Sequence, residues 1–227
     1  MKVTVIIPVF NEVQTIREIL RRVRRTGIAN EIIIVDDGST DGTRVLLGKI
    51  KKDRSLQIIL HEKNSGKGSA IKTGFDHAGG DVIIIQDADL EYDPCEYPNL
   101  LHPLKEGIAD VVYGSRFLGA ARHPILFWNM VANRILTFFT NILYNNIISD
   151  METGYKVFRR EVLQGMQIHA RRFEFEPEFT AKILKRKFRI FEVPITFNPR
   201  DYSQGKKIKA TDAFLALWTL IKYRFVD

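Results

Sequence analysis

Short runs of branched apolar residues at 3–9, 31–35, 56–60, 81–86 and 110–113 recur along the first half of the chain, separated by stretches of helical periodicity. Near-continuous apolar runs of this length suit strands covered on both faces. Strands alternating with helices imply right-handed crossovers, so the sequence predicts an α/β fold with a mostly parallel central sheet and helices on both faces. The first helix illustrates the pattern. Asn11 stands as its cap, Glu12 favours its positive end, and Val13, Ile16, Leu20 and Val23 form a core stripe. The arginines from 17 to 25 fall largely off that stripe and read as a solvated surface.

Beyond about residue 115 the pattern changes to a helix over 127–148, an irregular stretch rich in Arg and Glu, a strand over 190–197 and a helix over 213–226. No repeat or low-complexity linker intervenes, so 1–227 is expected to be one domain. A content of 45% hydrophobic residues excludes a disordered chain. The net charge of +7 favours anionic partners over cationic ones. The single cysteine, Cys95, excludes an internal disulfide or a Cys-based zinc cluster and fits a reducing compartment, the cytoplasm. No signal-peptide pattern opens the sequence. The longest apolar stretch, 125–148, is interrupted by Asn129, Asn133, Arg134 and Asn141, short of the roughly 18–20 apolar residues a spanning helix needs. Contact with a membrane face is expected rather than passage through it.

Ligands of open parallel sheets gather at the carboxyl ends of the strands. There the chain places Asp87-Ala88-Asp89, with Glu91 two residues on. Such carboxylates can hold a hard divalent cation with positions left for phosphate oxygens, although a capped loop would use the same residues. Asn64-Ser65-Gly66-Lys67-Gly68 allows close backbone approach and opens a helix that can attract an anion, without Walker spacing. The glycine fingerprint of dinucleotide oxidoreductases is absent where Pro8-Val9-Phe10-Asn11-Glu12 follows the first strand.

In their order, Pro8-Val9-Phe10-Asn11-Glu12, Val35-Asp36-Asp37-Gly38-Ser39 with Asp41-Gly42, Asn64-Ser65-Gly66-Lys67-Gly68 and Asp87-Ala88-Asp89 resemble the GT-A glycosyltransferases of family 2. The resemblance continues through Gly114-Ser115-Arg116-Phe117, the segment 150–158 beginning Asp150-Met151-Glu152-Thr153-Gly154, Phe173-Glu174-Phe175-Glu176 and 200–207. Within the family the pattern is similar to polyprenyl-phosphate hexose synthases. That implies inverting transfer of mannose or glucose from GDP-mannose or UDP-glucose to a polyprenyl phosphate. The donor would be held by 1–115 and the acceptor by 116–227.

Residue by residue, the resemblance implies a nucleoside pocket of Pro8, Phe10 and Glu12, with Val35 and Asp37 beside base and ribose and with Lys67 and Ala88 at the donor. Asp89 and Glu91 would bind Mg²⁺ or Mn²⁺, and Asp87 would orient donor and metal. The family often carries Gln where Glu91 stands. Arg200 and Lys206 would meet the donor diphosphate, and Arg116 the transferred phosphates. Asp150 would stand near the acceptor, as a positioning group, because a phosphate acceptor is already ionised. Plainer roles compete: a helix-end charge for Glu12, a cap for Asp37, and a solvated basic loop with Tyr202, Ser203 and Lys207 for 200–207. Glu174 and Glu176 either bind sugar hydroxyls or pair with Arg171 and Arg172.

The helix over 127–148 carries Trp128, Phe138, Phe139 and Tyr144, and the last helix carries Trp218, Lys222, Tyr223 and Arg224. Such helices can lie on the anionic cytoplasmic face of a membrane, pack in a core, form a homodimer or meet a membrane-embedded partner subunit. Two other functions stay open. A soluble saccharide or protein hydroxyl acceptor would require Asp150 as a base, and a non-catalytic nucleotide-sugar-binding module would need no chemistry. No nucleic-acid role is expected.

Overall fold

The structure is a computed structural model that describes residues 1–50, 53–119, 126–200 and 210–226. Seven strands, β1 (Val3–Val9), β2 (Glu31–Asp36), β3 (Leu56–Leu60), β4 (Val82–Ile85), β5 (Val111–Ser115), β6 (Lys156–Arg159) and β7 (Ile190–Pro194), form one sheet in the order β3-β2-β1-β4-β6-β5-β7. All neighbours run parallel except β6, which is antiparallel to both β4 and β5. The helices are α1 (Ile16–Arg25), α2 (Thr43–Gly48), α3 (Lys67–His77), α4 (Tyr97–Lys105), α5 (Phe127–Tyr144), α6 (Phe175–Lys185) and α7 (Ala210–Phe225).

The apolar strands resolve into two faces by their period of two. Val5, Ile7, Ile32, Ile34 and Ile84 pack with Ile16, Ile19 and Val23 of α1 and Leu100, Leu101 and Leu104 of α4. Ile6, Ile33, Ile83 and Ile85 pack with Ala70 and Ile71 of α3 and Phe175, Phe179 and Ile183 of α6. A third cluster joins α5 and α7 through Leu136, Ala216 and Leu220, with Ile148 and Met151.

Several expectations need correction. Asn11 does not cap α1, which begins only at Ile16. Asn11 adopts φ 56° and its Oδ1 accepts from the Thr40 amide at 2.8 Å, so it ties two strand-end loops together. The helix expected to reach 148 stops at Tyr144, because Asn145 turns left-handed and the Asn141 amide group satisfies both backbone groups of Ile148. The stretch expected to be irregular contains β6 and α6. The helical spacing of Phe175, Phe179 and Ile183, with acidic Glu176 and Glu178 in the first turn, was the available signal for α6.

Candidate active site

The carboxyl ends of β1, β2 and β4 open onto one rim. Pro8 and Val35 face each other in register on β1 and β2, and both are buried. The Val35 side chain belongs to the core. Phe10 is half-buried at the rim. Asp37 is no helix cap. Its carboxylate accepts from the Ser65 amide at 3.0 Å and the Gly66 amide at 2.6 Å, with His61 Nδ1 2.8 Å away. It thereby fastens the glycine loop to the end of β2. Gly66 is required there: its φ is 100°, and a Cβ would meet the Arg171 carbonyl at 2.2 Å.

The acidic turn after β4 is held from below. Gln86 Oε1 accepts from the hydroxyls of Tyr97 and Tyr155 at 2.9 and 2.7 Å, while its Nε2 donates to the carbonyls of Asp87 and Tyr92. These supports were not singled out in the sequence, because a Gln and two Tyr carry no local signal of convergence. Leu90 is forced to φ 65°, a strained conformation for a branched residue, and Ala88 is buried beneath the turn.

Asp89 and Glu91 both meet Arg200. The Arg200 guanidinium lies 3.0 Å from Asp89 and 3.3 Å from Glu12, and its amide donates to Glu91 Oε1 at 2.8 Å. Burial first, then the charges of Asp87 and Glu91, push the Asp89 carboxyl up to about 7 against the pull of Arg200. Asp87 instead pairs with Lys67 at 2.8 Å. The expected three-carboxylate metal set therefore does not converge; among the described residues no group of three His, Cys, Asp or Glu side chains is placed to hold an ion. The hard oxygens of Asp89 and Glu91 fit a divalent cation, since the charges of Asp87 and Glu91 both oppose that of Asp89 and a cation would offset them. Lys206 lies outside the described residues, as do Tyr202, Ser203 and Lys207.

On the other side of the rim, Asp150 is fully buried and saturated. It accepts from the Arg116 amide at 3.0 Å, from Arg116 Nε and Nη2 at 2.7 Å each, and from Asn133 Nδ2 at 2.7 Å. Burial alone would raise its carboxyl, but the Arg116 charge and the donated hydrogen bonds hold it below the ordinary value. Asn133 comes from α5, and its Oδ1 accepts from Thr137.

Lys67, expected to favour an anion, is already neutralised: its amine lies 2.8 Å from Asp87 and 2.9 Å from Glu176. Neither expected arginine partner reaches the 174–176 carboxylates, for Glu174 accepts from the Arg171 backbone and Glu176 pairs with Lys67. Beside them, the buried Lys156 amine donates to the carbonyls of Met151 and Thr153.

The model for "Glycosyl transferase family 2" matches residues 4–166. The chain is 31% identical over 212 residues to the dolichol-phosphate mannosyltransferase of Pyrococcus furiosus, covering 91% of this chain and 59% of that one. It is 31% identical over 211 residues to the polyprenol monophosphomannose synthase of Mycolicibacterium smegmatis, covering 89% and 79%. It thus spans less than two thirds of the length of the first of these relatives. The glucosyl-3-phosphoglycerate synthase of Mycobacterium tuberculosis, solved with Mn²⁺, UDP and phosphoglyceric acid, superposes with a TM-score of 0.77 at 18% identity, over 100% of this chain and 79% of that one. The fold is accordingly that of the GT-A glycosyltransferases, and with its acidic turn and the rim around it the chain belongs to glycosyl transferase family 2.

Proposed function

We propose that this protein moves a hexose from a nucleotide-diphosphate donor to a polyprenyl phosphate at a membrane surface. The observation that carries the reading is the state of Asp150. A carboxylate buried, ionised and occupied by Arg116 and Asn133 is unsuited to abstract a proton from a hydroxyl. A phosphate acceptor needs no such base. Its oxygen attacks the anomeric carbon, the bond to the donor diphosphate breaks, and the configuration inverts. The relatives named for dolichol and polyprenol transfer support this acceptor class.

Arg200, paired with Glu12 and Asp89, would leave them for the departing diphosphate, where a charge-assisted contact counts most. Asp89 and Glu91 would then hold a divalent cation, which when bound supplies Lewis-acid neutralisation of that same charge. Arg116, held by Asp150, would meet the acceptor phosphate. Incubation with GDP-mannose or UDP-glucose, a polyprenyl phosphate and Mg²⁺ or Mn²⁺ should yield a polyprenyl-phosphate hexose and free GDP or UDP. Donor hydrolysis without lipid product, or transfer only to a soluble sugar, would overturn the acceptor assignment.

The outer faces of α5 and α7 support membrane contact. Phe127, Trp128, Ile135, Phe138 and Ile142 are exposed on α5, and Phe214, Trp218 and Phe225 on α7, with Arg134, Lys222 and Arg224 exposed among them. An apolar face this broad with a basic rim fits an anionic bilayer. No described helix is long and apolar enough to cross one. The protein should sediment with anionic vesicles at low salt and be released at high salt, and Trp218→Asp with Phe138→Asp should weaken retention by about tenfold or more. Equal retention of that variant would remove this face from the model of docking.

A further inference from the structure

We infer that Glu178, on the first turn of α6, is a positioning residue for the nucleotide donor, an assignment that rests on the transferase reading above. Its carboxylate sets the turn 169–171, and that turn is the seat on which the glycine loop and Lys67 lie. Glu178 is fully buried, and its two oxygens accept from the His169 amide at 2.9 Å and the Ala170 amide at 2.5 Å. Glu174, one helical turn earlier, accepts from the next amide, that of Arg171, at 2.9 Å. Three successive N–H groups are thus drawn onto the start of α6. Because a trans peptide unit is planar, with its N–H and C=O on opposite sides, holding the Arg171 N–H also fixes the direction of the Ala170 carbonyl.

The carbonyls of this turn meet the glycine loop. A Cβ on Gly68 would lie 2.6 Å from the Ala170 oxygen, and the Arg171 oxygen, which a Cβ on Gly66 would strike, accepts from the Ser69 amide at 3.0 Å. An amide in the first turn of α3, which has no acceptor within its own helix, is satisfied in this way by a distant backbone carbonyl. Between the two glycines stands Lys67, whose amine joins Asp87 of the acidic turn and Glu176. Just before it, the Ser65 and Gly66 amides meet Asp37. A shift of the 169–171 turn therefore reaches Asp37 and Asp87, both given to the donor, so Glu178 acts through the loop rather than on the ligand. Lys182 completes the support. Its amine lies 2.8 Å from Glu178 Oε1 and donates to the Gln167 carbonyl, with the buried Tyr223 ring of α7 4.4 Å away. A carboxylate offers acceptors alone, so it can take two amides and an ammonium at once. An amide side chain of the same shape has one acceptor oxygen and would set an N–H against an N–H.

The Glu178–Lys182 pair allows positioning to be separated from stability. Glu178→Gln and Lys182→Met each take from a buried charge the group it is paired with, so both should melt below the wild type; combining them removes both charges and should restore part of the loss. Calorimetry on the full chain with GDP and with UDP then reads the donor site. For the diphosphate that the wild type binds, Lys182→Met should keep affinity within about twofold, since the carboxylate still holds both amides. Glu178→Gln should weaken binding by about tenfold, and so should the double variant in spite of its recovered stability. Where Glu178→Gln alone fails to fold, the double variant, which leaves no charge of the pair behind, decides. Affinity that follows melting temperature across the three variants, or that stays at the wild-type value in those lacking the carboxylate, overturns the positioning role while leaving the transferase reading standing. A wild type that binds neither diphosphate overturns both.

Discussion

Asp89→Ala protein should fold normally and lose transfer by about 10²- to 10³-fold or more. The fold survives because the wild-type carboxylate is a source of repulsion: burial, Asp87 and Glu91 all oppose its charge. Its removal still leaves Arg200 paired with Glu12, so no guanidinium is stranded. Activity falls because Asp89 with Glu91 would hold the cation against the donor diphosphate. Excess chelator should affect the wild type in the same way and leave little further loss in the variant. Asp87→Asn is expected to act differently, by loosening Lys67 and with it Glu176. Its loss should show in donor affinity as well as in rate. Wild-type turnover that persists in excess chelator would remove the cation from the scheme, and an active Asp89→Ala would remove the turn itself.

Asp150→Asn should reduce stability severely, and raising the pH should not rescue its activity. The change takes from the largely buried Arg116 guanidinium the carboxylate it is paired with, and breaking one side of such a pair costs about 3–5 kcal/mol. For a domain of this size that corresponds to a fall on the order of 10 °C in melting temperature. A general base would behave otherwise, with little effect on stability and recovery of rate as hydroxide takes over. The pH dependence of wild-type stability follows in sign. The Asp150 carboxyl is held below its ordinary value of 3.8, so its contribution is complete above that pH and is lost as acidity protonates the folded state. In Asp150→Asn this acid-sensitive part of the unfolding curve should disappear. A variant that is stable, inactive at neutral pH and active at high pH would make Asp150 a base and favour a hydroxyl acceptor.

Period and strand-end chemistry made much of the molecule legible. The bounds of β1 and β3 coincide with their apolar runs, because branched residues bounded by turn formers leave few alternatives. The acidic turn, the glycine loop and Arg200 come together at one rim because a parallel sheet delivers its strand ends there. What escaped was everything set by pairing across the chain. Asn11 looked like a cap and instead holds Thr40, a contact with no local signature. Lys67 was expected at the donor, and it is clamped by acids 20 and 109 positions away. Val35 sits beside functional residues in sequence, yet its side chain points into the core, since successive strand residues alternate faces. Lys156 lies in a short strand whose central position no local pattern announced.

The reversed strand β6 has a consequence for how the chain is made. β4 and β5 do not bond to each other; β6 separates them and is their shared neighbour in the sheet. While the ribosome has delivered only the first half, β4 ends the sheet as an open edge of four buried-type residues, Val-Ile-Ile-Ile. Such an edge is adhesive. The stretch up to residue 115 is therefore no free-standing module: cut off there, it should associate with its own kind or with chaperones until Lys156–Arg159 arrives to close the gap.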